Sequence, residues 1–384
     1  MPGTVAPRFE RVREVFEQQF AEGKHVGAAV AVYHKGELVA DLWGGDADTG
    51  RPWQQDTAAV VFSTTKGIAS TALHMLFERH KLSYDDPVSR HWPEFARNGK
   101  ESITVRHVLT HQGGIPQQPE GLDHEQMLDW ETMVHAMEEL TPLWKPGEMT
   151  GYHPYNFGWL VGEIVRRVDG RTIGAFVREE IAGPLGLRDL HIGLPAAEEP
   201  KVALLHSLIN EGDPAIQSLI ERFMTPDSIP GKAMPRTMSN VIEFMNTRAA
   251  HRAEIPAANG IATARDLARL YACLGNGGAL DGVRLVKPET IATATRQQTC
   301  RPDAVLIIPI GWALGYMTGG PMVSVSGPRV TSFGHPGFGG ANAFADPEIG
   351  LSFGYVPNGI GMNLVGDARA FALSQTAREC AESA

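Results

Sequence analysis

The sequence predicts an α/β fold of the α+β kind: an antiparallel sheet flanked by helices, with a mainly helical block inserted into it. Two observations carry this. Runs of strand character bounded by Gly-rich turns occur near the N-terminus and again in the last third of the chain. The long stretch between them shows helical spacing, with its Pro and Gly residues at element boundaries. At 384 residues the chain can bury a large core and form two domains or one elaborated domain. The expected division is a discontinuous sheet domain, 1–75 with 258–384, embracing a helical domain, 76–257.

Taken in order, Phe9, Val12, Val15, Phe16 and Phe20 share one helical face and predict a packing helix. Val26 to Tyr33 and Glu37 to Trp43 read as strands of a hairpin, with Gly36 supplying a positive φ in the turn His34-Lys35-Gly36. Thr104 to His111 predicts a short helix before the turn Gln112-Gly113-Gly114-Ile115-Pro116, and His124 to Leu140 a longer one. Helical spacing resumes over Phe157 to Val168, up to the stop Asp169-Gly170, and over Thr172 to Ile181. Strand character returns at Val283 to Val286, Gly311 to Met317, Arg329 to Gly334, Ala341 to Ala345 and Leu351 to Val356, and Val365 to Cys380 reads as a closing helix.

A hydrophobic fraction of 43% with 20% charged residues is that of a soluble globular chain. The formal net charge of -10, without any Lys/Arg block, argues against nucleic acid or an anionic membrane as partner and suits a small, neutral or weakly polar molecule. The N-terminus lacks the basic start and apolar run of a signal peptide, so a cytoplasmic protein is expected. Cys273, Cys300 and Cys380 show no metal-like spacing and read as reduced, structural thiols.

The chemistry centres on Ser63-Thr64-Thr65-Lys66, set between the apolar run Ala58 to Phe62 and the helical pattern of Ala69, Leu73, Leu76 and Phe77. If a helix starts near Ser63, the hydroxyl stands at its N-terminus and the amine one turn later on the same face. Unpaired N–H groups and the helix dipole then favour an oxyanion near Ser63, while burial and the dipole lower the pKa of Lys66 toward a usable base. A serine that only caps the helix and a solvated lysine would give the same tetrapeptide.

Further stretches follow in order: Thr104 to His111, Lys145 to Leu160 with Tyr152-His153-Pro154, Asn259 to Leu267, and Gly334-His335-Pro336-Gly337-Phe338-Gly339-Gly340. Together with the Ser63 tetrapeptide they resemble the superfamily of serine β-lactamases and penicillin-binding proteins, and most closely class C β-lactamases and family VIII carboxylesterases. The resemblance covers about Val26 to Val356 and implies a β-lactamase-like fold with an active site between sheet and helical domains. It implies Ser63 as acylated nucleophile and Tyr152 as base and acid, its pKa lowered by Lys66; which of Lys66 and Tyr152 is the working base stays open. It also implies an oxyanion hole from the main-chain N–H groups of Ser63 and Phe338, substrate contacts from His335, Gly337 and Phe338, and neither cofactor nor metal. Pro154 stands where the family has an asparagine, and His335 where it has a lysine. Both departures disfavour a β-lactam and favour uncharged esters of small to medium acyl groups. β-Lactamase, D-amino acid amidase or peptidase, and acyltransferase activity are alternatives on the same site; a non-catalytic binding protein that kept the fold is another.

Other candidates read as structure. His107 and His111 have the i, i+4 spacing of a metal pair but lack a third ligand, so packing and hydrogen bonding are expected of them. Arg265-Asp266 suits an ion pair or cap, and the glycines at 275, 277, 278, 339 and 340 suit turns. The segment from Ile209 to Met245, with Phe223, Met224, Met234, Met238, Phe244 and Met245, reads either as ordinary core or as one that in part supplies an adaptable apolar wall over the site.

Overall fold

The computed structural model describes residues 1–383 apart from 211, 226, 235–239, 321–323 and 325, and gives positions 215 and 222–224 as backbone only. Its centre is an antiparallel sheet drawn from both ends of the chain. The order is Gly3–Val5, Glu37–Asp48, Gly27–His34, Leu351–Pro357, Asn342–Asp346, Phe333–Pro336, Met317–Thr318, Pro309–Trp312, Thr299–Pro302, with Arg51–Pro52 paired to Glu37–Asp48.

The strand Gly27–His34 is buried along its whole length, so its alternation separates two cores rather than core from solvent. Val30 and Val32 face one side, where they meet Phe9 of the turn Pro7–Phe9, Val12 and Phe16 of the helix Glu10–Ala21, and Leu373 and Ala377 of the closing helix Ala368–Glu382. Each of these larger side chains, taken from water to full burial, contributes about 1.5–3 kcal/mol. Ala29 and Ala31 face the other side, against the helix Ala264–Gly275. Small residues there let the helix come close, and a Cβ on Gly354 would meet the Ala264 carbonyl at 2.2 Å.

The hairpin turn has positive φ at both Lys35 (52°) and Gly36 (85°), the geometry that matches strand twist. Several expected elements are cut by local chemistry. The stretch His124 to Leu140 divides into Gln126–Leu128 and Trp130–Glu139, because Asp129 leaves helical geometry and its carboxylate caps the Thr132 N–H at 2.8 Å. Gly311 to Met317 is two strands joined by a tight turn, with Ala313 N–H donating to Tyr316 O and φ +82° at Gly315. The strand expected from Arg329 begins only at Phe333. Among the described residues no helix is long and apolar enough to cross a membrane.

Candidate active site

Ser63 sits where a short strand turns into a helix. Ala59–Val60 pairs with Ile261–Ala262, and Val61 N–H donates to Gly260 O, which locks the approach to the turn. Phe62 then takes φ +45°, a left-handed conformation costing about 1–3 kcal/mol for such a residue, and Phe62–Thr64 forms one tight turn before the helix Thr65–Glu78. Thr65 Oγ1 donates to Phe62 O and accepts from Gly260 N–H, so one side chain ties the turn to the neighbouring strand. A Cβ at Gly260 would fall 2.5 Å from that oxygen. Among the described residues no turn or loop carbonyl takes the N–H of Ser63 or of Phe338; the bonds beside them run from Thr64 N–H to Val61 O and from Gly340 N–H to Gly337 O.

Lys66 is fully buried one turn on. Its Nζ donates to Pro154 O (2.7 Å) and Ala257 O (3.0 Å), lies 3.2 Å from Ser63 Oγ, and stands 4.7 Å above the Tyr152 ring. Burial without a carboxylate partner holds its pKa well below the ordinary lysine value. A neutral amine has two hydrogens and one lone pair. With the hydrogens on the two carbonyls, the lone pair is left for the Ser63 hydroxyl.

The structure brings Tyr152 to this pair but reverses one expectation. Burial pushes the phenol above its usual range, and the Ser63 hydroxyl pulls the other way only in part. The lowered pKa of Lys66 also weakens the cation that would favour a phenolate. Tyr152 is held flat against Trp312 (5.7 Å, 13°), against His335 (6.1 Å, 28°), and edge-on to His111 (5.0 Å, 62°).

The strand Phe333–Pro336 brings in His335, buried, with its Nδ1 donating to Pro336 O at 2.7 Å. Burial lowers its pKa to about 3, so no cation stands there at neutral pH. Gly337 packs against the turn that carries Ser63: a Cβ there would lie 2.2 Å from Val61 O and 3.1 Å from Thr64 Oγ1, so glycine is what the close approach requires. Phe338 follows, its ring edge-on to Phe62 at 5.4 Å.

These groups surround an apolar cleft of about 530 Å³, counted out to the bulk solvent. Ser63, Tyr152 and Phe338 form part of its wall, whereas Lys66, His335 and Gly337 stand behind it. Of the Met-rich segment, Met234 and Val241 line the cleft. Phe244 instead stacks on His124 at 4.3 Å, and the Phe223 and Met224 side chains and Met238 lie outside the described residues. Leu306 and Leu364 complete the wall from loops that carry no local signature of such a role.

The remaining candidates have other tasks. His107 Nδ1 accepts from Thr104 N–H at 3.3 Å as half of a capping box, while His111 faces Tyr152 and His153. Asn156, two positions after Pro154, donates to Ile115 O and Gln117 O and so secures a turn. Arg265 pairs with Asp41, and Asp266 accepts from Asp189 N–H. All three cysteines are free, Cys300 being exposed.

The Beta-lactamase family profile matches residues 12–377. The chain is 37% identical over 367 residues to "Esterase/beta-lactamase LipL" of Mycobacterium tuberculosis (strain ATCC 25618 / H37Rv), covering 93% of this chain and 82% of that protein. Among solved structures it resembles a penicillin-binding protein homologue from Caulobacter crescentus, at 40% identity and TM-score 0.87. It also resembles a family VIII carboxylesterase, at 35% identity and TM-score 0.89; both alignments cover 99% of either chain. Matched along nearly its whole length on this sheet-and-helix scaffold, with half-buried Ser63 beside buried Lys66 and Tyr152, the chain belongs to the β-lactamase family of serine hydrolases.

Proposed function

We propose that the protein is a cofactor-free carboxylesterase that cleaves small to medium, uncharged carboxylic esters through an acyl-enzyme on Ser63. The observation that carries this is Lys66: a buried amine, 3.2 Å from Ser63 Oγ, whose other hydrogen-bond partners among the described residues are both carbonyl oxygens. In this reading the amine takes the hydroxyl proton as Oγ attacks the ester carbonyl, and the developing oxyanion is met by the N–H groups of Ser63 and Phe338. One such donor is worth about 3 kcal/mol. The proton passes to the departing alkoxide through the Tyr152 hydroxyl, which remains a neutral phenol before and after. Water then adds to the acyl-enzyme by the reverse proton path, releasing the acid and restoring Ser63.

The substrate class follows from the wall and from what stands behind it. Apolar side chains suit acyl groups without charge, and a neutral His335 offers no partner to a substrate carboxylate. The names of the relatives, an esterase/β-lactamase and a family VIII carboxylesterase, agree with ester cleavage. The same reading divides the chain into a sheet domain, 1–75 with 258–384, and a helical domain, 76–257, with the cleft between them, in a cytoplasmic protein that needs neither nucleic acid nor membrane.

Ser63→Ala is expected to abolish turnover of a p-nitrophenyl ester and to prevent labelling by a fluorophosphonate, with the fold retained by circular dichroism. Undiminished turnover would refute the assignment. Nitrocefin, a D-amino acid amide and an added alcohol separate ester hydrolysis from β-lactamase, amidase and acyl-transfer activity. Intact mass showing neither adduct nor turnover with an activated ester would point to a non-catalytic binder.

A further inference from the structure

Tyr152 lies on a segment without regular secondary structure, so no ladder holds it, yet a base or acid must stand within a few tenths of an ångström of its place. Each of three consecutive N–H groups there is taken by a buried acceptor from elsewhere. Gly151 N–H donates to His111 O (2.9 Å), Tyr152 N–H to Asp303 Oδ1 (2.9 Å), and His153 N–H to His111 Nδ1 (3.1 Å). The next residue, Pro154, has no N–H, and its carbonyl is one of the two that meet Lys66.

We infer that His111 and Asp303 are positioning residues: between them they set where the Tyr152 phenol and the Pro154 carbonyl stand. The inference rests on the acyl-enzyme reading above. His111 acts twice, through its main chain and through its ring, and it can do so because it adopts φ +57°. That left-handed conformation is one a non-glycine residue rarely takes and that persists where surrounding structure holds it. Accepting at Nδ1 puts the ring proton on Nε2, and the ring lies edge-on to both Tyr152 (5.0 Å) and Trp312 (4.3 Å). Asp303 Oδ1 also takes the N–H groups of Val305 and Leu306 at 2.9 Å, so one oxygen links the Tyr152 main chain to the Leu306 wall of the cleft. An apolar side chain of equal size could fill either place, but it would leave a buried N–H without an acceptor.

The test compares variants that keep an acceptor with variants that only fill space, in the full-length protein. His111→Asn retains an oxygen where Nδ1 stands and tolerates the left-handed backbone; His111→Leu does neither. Asp303→Asn keeps Oδ1, and Asp303→Leu removes it. The readouts are kcat and KM on p-nitrophenyl butyrate, the fluorophosphonate labelling rate of Ser63, and Tm. For His111→Leu, kcat and labelling rate fall together, on the order of 10- to 100-fold, with KM changed by less than about threefold, measured well below Tm. His111→Asn recovers most of the loss, and the Asp303 pair behaves likewise, which decides the matter if His111→Leu does not fold. Equal impairment in the Asn and Leu variants, or a loss confined to Tm, overturns the inference while wild-type labelling stands. Absence of labelling in the wild type overturns the acyl-enzyme reading and this inference with it.

Discussion

At Lys66 the decisive quantity is proton affinity, and it follows from what surrounds Nζ. Two carbonyls and a hydroxyl accept or share hydrogens but carry no charge to offset burial, so the ammonium form is disfavoured. With the pKa lowered, the free amine is present above that lowered value, and its lone pair is lost only as pH falls through it. The kcat/KM profile for a p-nitrophenyl ester is therefore expected to be level through neutral and mildly alkaline pH and to decline on the acid side. A profile that keeps climbing toward pH 10 would mean an ordinary, solvated lysine. Ser63 and Lys66 could be singled out in the sequence because their relation is local, one helical turn. Asp303 and Trp312 could not, since each reaches Tyr152 across a large sequence separation and neither belongs to a spacing that marks it; His111 stood out only through its spacing to His107, which says nothing of Tyr152.

Among the elements, the helix Thr65–Glu78 passes close to Tyr271 of the helix Ala264–Gly275 at Gly67. Gly67 sets that approach: a Cβ there would lie 2.1 Å from Tyr271 Oη and 3.3 Å from Tyr271 Cζ. Gly67→Ala is expected to destabilise the fold by about 1–3 kcal/mol through overpacking. Adding Tyr271→Phe, which removes a buried hydroxyl with no hydrogen-bond partner among the described residues, should recover a good part of that. Denaturant titration of the single and double variants checks it; a double variant no more stable than Gly67→Ala would show that the contact is not the cause. Helix and strand positions were largely legible from periodicity, whereas element ends were not. Asp129 halts one predicted helix by capping the next, a choice between propensity and side-chain hydrogen bonding that spacing alone does not decide.

For the whole molecule, several histidines that are buried, or in the case of His25 partly buried, have lowered proton affinity. His25, His74, His153 and His335 are each lowered to about 3, with burial the leading cause. Between about 6.5 and 3 the unfolded chain holds a proton on each that the native state does not, so these groups cost stability as pH falls from about 6.5 toward 3. Each contributes up to about 1.4 kcal/mol per pH unit in that window, and nothing above it. His74, bonded to Tyr84 Oη at 2.9 Å and Leu314 O at 3.0 Å, is far enough from the cleft wall to test this. In His74→Gln the decline of unfolding free energy between pH 6 and 4 should be shallower by about one proton's worth. An unchanged slope would sink the attribution.

By itself the sequence determined the hairpin, the order of strands and helices along the chain, and the placing of a hydroxyl and an amine on one face of a helix start, because each depends on neighbours a few residues apart. Only the tertiary structure decided that Lys66 is buried with its pKa lowered, that burial raises the pKa of the Tyr152 phenol, and that Gly337 packs against Val61 O. Proton affinity and steric room are set by solvent exclusion and by partners such as Pro154 O and Ala257 O, which the fold brings to one amine from 88 and 191 positions away.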